Sequence, residues 1–410
     1  MKHFFLILML ISSFQAFAQT TVGLVAYYSF NGNFSDVSGN TANTGTPIGE
    51  PSFDCGVDGD ALLLDGGNDE VIVLGGPLND EFDTEDISIS FYFKPLSVNG
   101  REYLLSKRSP NCFGGNEFYV RYFPESRTIE VTFLETFNQF ATAFHIIDNT
   151  DCWQHITIIR ESTQVRLYVN GEQEDVKGTA NRINVFNDGD FTIGNSDCRS
   201  SQESAFNGLI DELRVYNRAL DAREVRELYD APDKIEKQSP IVNVFLGNSI
   251  DMNITHTCAT AFSWSPVNGV SDASSATPTI TPAVKGEQPY TLSFIDPIGA
   301  CVAEDVIILN VIDPDDLDCN AIFLPRAFTP NDDGLNDMYG ISNPFAVEKL
   351  ITFDIFDRWG NIVFSSTDPF SQWDGYYKGQ KVNPGVMYYR LHIECNGEEE
   401  VLTGNINILR

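Results

Sequence analysis

The chain has 410 residues, with 26 Lys and Arg against 58 Asp and Glu, a formal net charge of −32. A surface this acidic repels nucleic acid and anionic lipid, which excludes the binding classes that work through basic patches. Thirty Phe, fifteen Tyr and thirty-one Gly, with frequent Val, Ile and Thr, favour strands and tight turns, so an all-β protein of roughly two to four domains is expected.

The first residues read as an export signal. Met1-Lys2-His3 is a short basic start, Phe4 to Ile11 is an unbroken apolar run, and Ala16-Phe17-Ala18 fits a small-x-small cleavage site, giving a signal peptide over 1–18. That run is shorter than the ~20 residues a bilayer demands, and no later run is longer, so no transmembrane segment is expected.

Residues 19–231 carry a series of strand-like runs: Leu24-Val-Ala-Tyr-Tyr-Ser-Phe, Ala61-Leu-Leu-Leu-Asp, Ile87-Ser-Ile-Ser-Phe-Tyr-Phe, Trp153-Gln-His-Ile-Thr-Ile-Ile, Val165-Arg-Leu-Tyr-Val, Phe191-Thr-Ile and Gly208-Leu-Ile-Asp-Glu-Leu-Arg-Val-Tyr. One helix is predicted at their end, from Asp221, whose side chain is placed to cap it together with Glu224 three residues on. In order and content the series resembles the laminin-G-like, concanavalin A-like jelly roll. The resemblance implies two packed antiparallel sheets and a head that binds an extracellular glycan or protein ligand. It also implies a structural Ca2+ held by Asp36, the loop around Asn40, and Asp211. Those oxygen-bearing side chains suit a hard cation, and the plain alternative is an Asx-rich turn that caps itself.

Two features of the sequence bear on catalysis. Glu81-Phe82-Asp83-Thr84-Glu85 has the E-x-D-x-E spacing of retaining glycosidases on this fold, in which Glu81 and Glu85 would flank a glycosidic bond from one strand face. The neighbouring Asn79, Asp80 and Asp86 place the motif in an acidic approach loop instead, so a non-catalytic binding protein is the leading reading, with a glycoside hydrolase or a structural surface protein as alternatives. None of the five His sits in a metalloprotease or hydrolase motif, and His155 on its strand reads as a packed residue.

The linker 232–238 leads to a module over 239–313. Phe262-Ser-Trp-Ser-Pro, Pro289-Tyr-Thr-Leu-Ser-Phe and Val306-Ile-Ile-Leu-Asn-Val resemble the Ig-like or PKD-like sandwiches that space out bacterial surface proteins. Eight cysteines in an exported chain predict disulfides. If bonds stay within domains, Cys258 pairs with Cys301 and Cys319 with Cys395, while Cys55, Cys112, Cys152 and Cys198 leave three connectivities open.

The last region, 314–410, alternates at Ile351-Thr-Phe-Asp-Ile-Phe and Tyr388-Tyr-Arg-Leu-His-Ile, with hairpin turns at Arg358-Trp-Gly-Asn and Pro384-Gly. A small antiparallel sandwich follows, with Trp359 and Trp373 read as core aromatics. Pro330, Asn331, Asp333, Gly334, Asn336 and Asp337, then Arg358, Trp359 and Gly360, then Trp373, Asp374 and Gly375, then Gly385, resemble the motifs of the gliding-motility-associated C-terminal sorting domain. That resemblance implies the type IX secretion machinery as partner and the outer cell surface as destination.

Overall fold

The computed structural model describes residues 21–409 except 84, 113–114, 149–151, 238, 300, 314–317, 319–321, 332–335 and 396. The expected signal peptide therefore lies outside the described residues. Two compact units are present, the first holding the head and most of the middle module, the second holding residues 310–410 with two short segments.

The head is a sandwich of two eight-stranded sheets. The back sheet runs Glu172–Gly178, Gln164–Val169, Gln154–Glu161, Ile87–Pro95, Asn207–Tyr216, Asp60–Asp65 and Ser52–Cys55, and Leu24–Tyr28 also pairs with Asn207–Tyr216. The front sheet runs Gln139–Ile146, Thr128–Thr136, Glu117–Phe123, Glu102–Lys107, Phe191–Ile193, Glu70–Val73 and Thr46–Ile48, with Ser204–Ala205 added in parallel on Glu102–Lys107. Their facing residues fill one core that includes Ile89, Phe91, Phe93, Phe118, Val120 and Phe191. Each such side chain contributes about 1.5–3 kcal/mol by leaving water.

Alternation along Ile87–Pro95 is clean in sequence, yet nearly the whole strand is buried. Its other face, with Tyr92, packs in a second cluster with Val57, Ala61, Trp153 and Leu209, against which Ile298 of the middle module rests. The helix Ala222–Leu228 forms as predicted. Glu224 N–H donates to Asp221 Oδ1 at 2.8 Å and Asp221 N–H donates to Glu224 Oε2 at 2.9 Å.

The middle module pairs Val302–Ile312 with Gly286–Ile295, and that strand with Ala261–Ser265. Its core holds Trp264, whose indole N–H donates to Ser275 O at 3.0 Å and whose cross-strand partner is Leu292, with Leu309 also buried. The segment read as a linker belongs to this packing, since Asp233 and Ile235 are buried and Ile235 bridges to Ile254.

The expected Cys258–Cys301 bond is not formed. Cys258 bonds to Cys55 and Cys301 to Cys152, each crossing from the middle module to the head, while Cys112–Cys198 stays within the head. The premise that bonds stay within domains fails because the module packs on the back sheet, which brings its cysteines to Cys55 at the end of one strand and to Cys152 just before the start of another. The fully buried ion pair Lys94–Asp296, at 2.5 Å, lies in the same interface. Cys395 is disulfide-bonded, and Cys319 lies outside the described residues.

The C-terminal domain is a five-stranded sheet in the order Ala327–Phe328, Glu398–Ile408, Gly385–Cys395, Lys349–Phe356 and Ile362–Ser366. Phe328, Tyr339, Phe353, Trp373 and Leu391 form its core. Trp373 is 2% exposed, as expected of a core residue, but Trp359 is 78% exposed. The reading of Trp359 as core is corrected: it occupies the tip of the hairpin between Lys349–Phe356 and Ile362–Ser366, and among the described residues it takes no part in the domain's core cluster.

Candidate functional site

The outward face of the front sheet is built by strand alternation and register. Along Glu117–Phe123, Phe118, Val120 and Tyr122 point into the core, leaving Glu117, Tyr119, Arg121 and Phe123 outside. Pairing sets Tyr103, Arg121 and Glu130 side by side across three strands, and Ser106, Tyr119 and Thr132 in the next row.

Arg121 is the centre of this face. It forms ion pairs with Glu130 and, at 2.6 Å, with Glu203, and its guanidinium lies 4.8 Å from the Tyr119 ring centre. Arg108 pairs with Glu117 at 3.0 Å, donates to Tyr103 Oη at 3.2 Å, and lies 5.5 Å from the same Tyr119 ring. Planar guanidiniums stacked on aromatic rings and held by carboxylates are fixed in orientation before any ligand arrives. Arg108 also donates to Cys198 O at 3.0 Å, and the Cys112–Cys198 bond ties that loop down.

Two depressions adjoin this cluster. One of about 420 Å³ is lined by Asn195, Ser196, Asp197, Arg199, Ser200, Ser201 and Glu203. The other, about 200 Å³, includes Ile72, Ser106, Arg108, Asp190 and Thr192. Sequence reasoning missed this face. The Glu-Phe-Tyr-Val-Arg-Tyr-Phe run of 117–123 carries the alternation, but the company of Tyr103, Glu130 and Glu203 depends on pairing with other strands.

Ser90 and His155 look like a catalytic dyad by distance, with Ser90 Oγ at 2.7 Å from His155 Nε2. Both are buried, and the imidazole lies between the rings of Tyr92 and Tyr229 at 4.5 and 5.7 Å. Burial, helped by the Arg214 charge, pushes the His155 pKa down to about 3. A substrate cannot reach this pair.

Glu81 falls in the 3-10 turn Pro77–Phe82, and Glu85 is exposed in the loop after it, whose carbonyl accepts from Arg160. Burial, then Asp83 and Asp80, raises the Glu81 pKa. Thr84 between them lies outside the described residues. The shared strand face that a retaining pair uses is not built here.

The aspartates expected to share calcium serve separate turns. Asp36 Oδ1 accepts from the N–H groups of Tyr27 and Ser38, at 2.9 and 2.8 Å, and Oδ2 accepts from Asn43 Nδ2 at 3.1 Å. Asp211 Oδ2 accepts from Val57 N–H at 2.7 Å and Asp58 N–H at 3.4 Å, and Oδ1 accepts from Glu212 N–H at 2.8 Å. Asn40 Oδ1 caps its own turn through Ala42 N–H at 3.3 Å. Burial, with Glu212 adding to it, lifts the Asp211 pKa to about 8 against the pull of its three N–H donors. Among the described residues no third carboxylate or imidazole gathers with Asp36 and Asp211; the one ligand-like group is Cys55, His256 and Cys258, whose sulfurs are joined. Each of these carboxylates is thus held by amide donors, in separate turns.

In the C-terminal domain the motif residues mostly shape turns. Asn331 N–H donates to Asp337 Oδ1 at 2.8 Å, Thr329 N–H donates to Asn336 O at 2.8 Å, and Asp374 Oδ1 accepts from Tyr376 N–H at 2.9 Å. Gly375 has φ +77° and a Cβ there would meet buried Pro330 at 2.9 Å, which explains the glycine. Gly385 opens the strand Gly385–Cys395. Asp333 and Gly334 lie outside the described residues.

Comparison with known proteins places these observations. Residues 65–226 match the family model of the concanavalin A-like lectin/glucanases superfamily, and residues 322–408 match that of the CHU_C type IX secretion signal domain. No curated protein matches the chain. Among solved structures, domain 4 of AbnA, a GH43 extracellular arabinanase from Geobacillus stearothermophilus in complex with arabinotriose, is 22% identical over 50% of this chain and 98% of that one, with a TM-score of 0.38. The CBM40 of the Ruminococcus gnavus IT-sialidase is 14% identical over 42% of this chain and 96% of that one, with a TM-score of 0.37. The binding domain of botulinum neurotoxin serotype C1 is 10% identical over 95% of this chain and 94% of that one, with a TM-score of 0.42. No helix among the described residues is long and apolar enough to cross a membrane. The chain thus joins a concanavalin A-like domain to a CHU_C type IX secretion signal domain, which marks it as a protein exported to the cell surface or the extracellular space.

Proposed function

We propose that this is a non-catalytic, surface-displayed binding protein whose head takes a neutral glycan on the outward face of its front sheet. The observation that carries the reading is the preorganised cluster of Arg121, Arg108 and Tyr119 with its three carboxylate partners, beside a polar depression of about 420 Å³. That volume is in the range of small-ligand sites. Paired guanidiniums and carboxylates present donors and acceptors in fixed planes, the chemistry that recognises vicinal hydroxyls. Two guanidiniums against Glu117, Glu130 and Glu203 leave no surplus positive charge, which argues against an acidic sugar.

A glycan array probed with the purified chain tests this. Neutral oligosaccharides should bind, and Arg121→Ala should weaken binding about tenfold or more while melting stays within a few degrees of wild type. Binding unaffected by Arg121→Ala and Tyr119→Ala together would move the site elsewhere. Hydrolysis of a bound glycan that disappears in Glu81→Gln with Glu85→Gln would replace the binding reading with the glycosidase one.

A further inference from the structure

The hairpin tip of the C-terminal domain holds an exposed tryptophan on a tightly bonded turn. Asp357 Oδ1 accepts from Trp359 N–H at 2.8 Å and Asn361 N–H at 2.9 Å, and Asp357 Oδ2 accepts from Asn361 Nδ2 at 2.8 Å. The main chain closes the same turn twice, Asp357 N–H to Asn361 O at 2.9 Å and Gly360 N–H to Asp357 O at 3.0 Å. Gly360 supplies the left-handed corner with φ +84°. All of this fixes a turn whose indole, at Trp359, stays 78% exposed with the Arg358 guanidinium 5.3 Å from its ring centre.

Beside the indole lies a groove of about 170 Å³ with Val382, Pro384, Val386 and Met387 along it. The adjoining hairpin, Tyr376–Tyr377 with Gln380–Lys381, carries Lys378 over Tyr377 at 5.0 Å and Lys381 over Tyr376 at 5.5 Å. Of the nearby acids, Asp357 is engaged by the turn and Asp374 accepts from Tyr376 N–H. Arg358 beside the Trp359 indole and Lys378 over Tyr377 thus set basic and aromatic side chains together on a chain of net charge −32.

We propose that the Arg358–Trp359 turn and its groove are the surface by which the type IX secretion machinery recognises this domain, through a protein face that offers an apolar cleft bordered by carboxylates. The inference rests on reading residues 322–408 as the export signal. Trp and Arg dominate the energetics of protein interfaces, and an indole already held in place loses little conformational freedom on insertion. Charge complementarity selects the acidic border.

The test is surface display of the full-length chain in a bacterium that carries the type IX system, read by surface labelling, with melting curves of the same variants. Trp359→Ala and Arg358→Glu should each lower display about tenfold with unchanged melting, and Arg358→Lys should restore most of it. Normal display of Trp359→Ala, with a chain lacking 324–410 retained inside, overturns the inference and leaves the sorting reading standing. Loss of display with lowered melting also overturns it, by making the residue structural. Release of Trp359→Ala into the medium assigns the turn to retention by envelope polysaccharide and overturns it too. Display of the chain lacking 324–410 removes the sorting reading itself.

Discussion

Ser90 and His155 stand 2.7 Å apart, the spacing of a nucleophile and its base, yet neither meets solvent. Such a pair acts on stability instead of on a substrate. The buried imidazole has its pKa lowered to about 3 by burial first and by Arg214 second, against about 6.5 in the unfolded chain. Between those values the unfolded state binds a proton that the folded state refuses, so stability is full above the unfolded pKa and falls as pH drops towards the folded one. Unfolding free energy measured between about pH 4 and 6 should therefore rise about 1.4 kcal/mol less per pH unit in His155→Gln than in wild type. Equal slopes would show that the imidazole is already protonated in the fold.

At the scale of elements, the strand Asn207–Tyr216 organises the back sheet, pairing with Leu24–Tyr28, Ile87–Pro95 and Asp60–Asp65. Its pairing with Ile87–Pro95 shifts between Asp211 and Arg214, where Glu212 takes φ +52°. The shift frees Asp211 to hold the turn after Ser52–Cys55 through Val57 and Asp58, and Gly56 is required there because a Cβ would come within 2.5 Å of Asp211 Oδ2. Asp211→Asn replaces one acceptor with a donor facing N–H groups, so it should cost about 1–3 kcal/mol. We expect that loss to be the same in calcium and in chelator, and wild type to melt alike in both. A calcium-dependent rise in melting temperature that Asp211→Asn abolishes would restore the shared ion.

For the first unit as a whole, head and middle module are one covalent body. The bonds Cys55–Cys258 and Cys152–Cys301 close separations of 203 and 149 residues, each worth roughly 2–5 kcal/mol on general grounds. The module therefore does more than space the head from the tail. A chain cut at a protease site inserted at exposed Ser239 should run as one species without reductant and as two with it. Separation without reductant would mean that Cys258 bonds to Cys301 after all.

How much was legible divides along a physical line. Alternating apolar runs, the Asp221 capping box, the turn at Gly360 and the sorting motifs are local, so the sequence by itself determined an all-β exported chain with a jelly-roll head and a C-terminal sorting domain. Trp359 and Trp373 show where that ends, because a tryptophan is equally apolar at a hairpin tip and in a core, and only the sheet's single covered face separates them. Cysteine pairing, the burial of His155, and the meeting of Tyr103, Arg121, Glu130 and Glu203 each join residues far apart in the chain. Such contacts are set by register and by which module covers which face, and those are decided only when the sheets assemble.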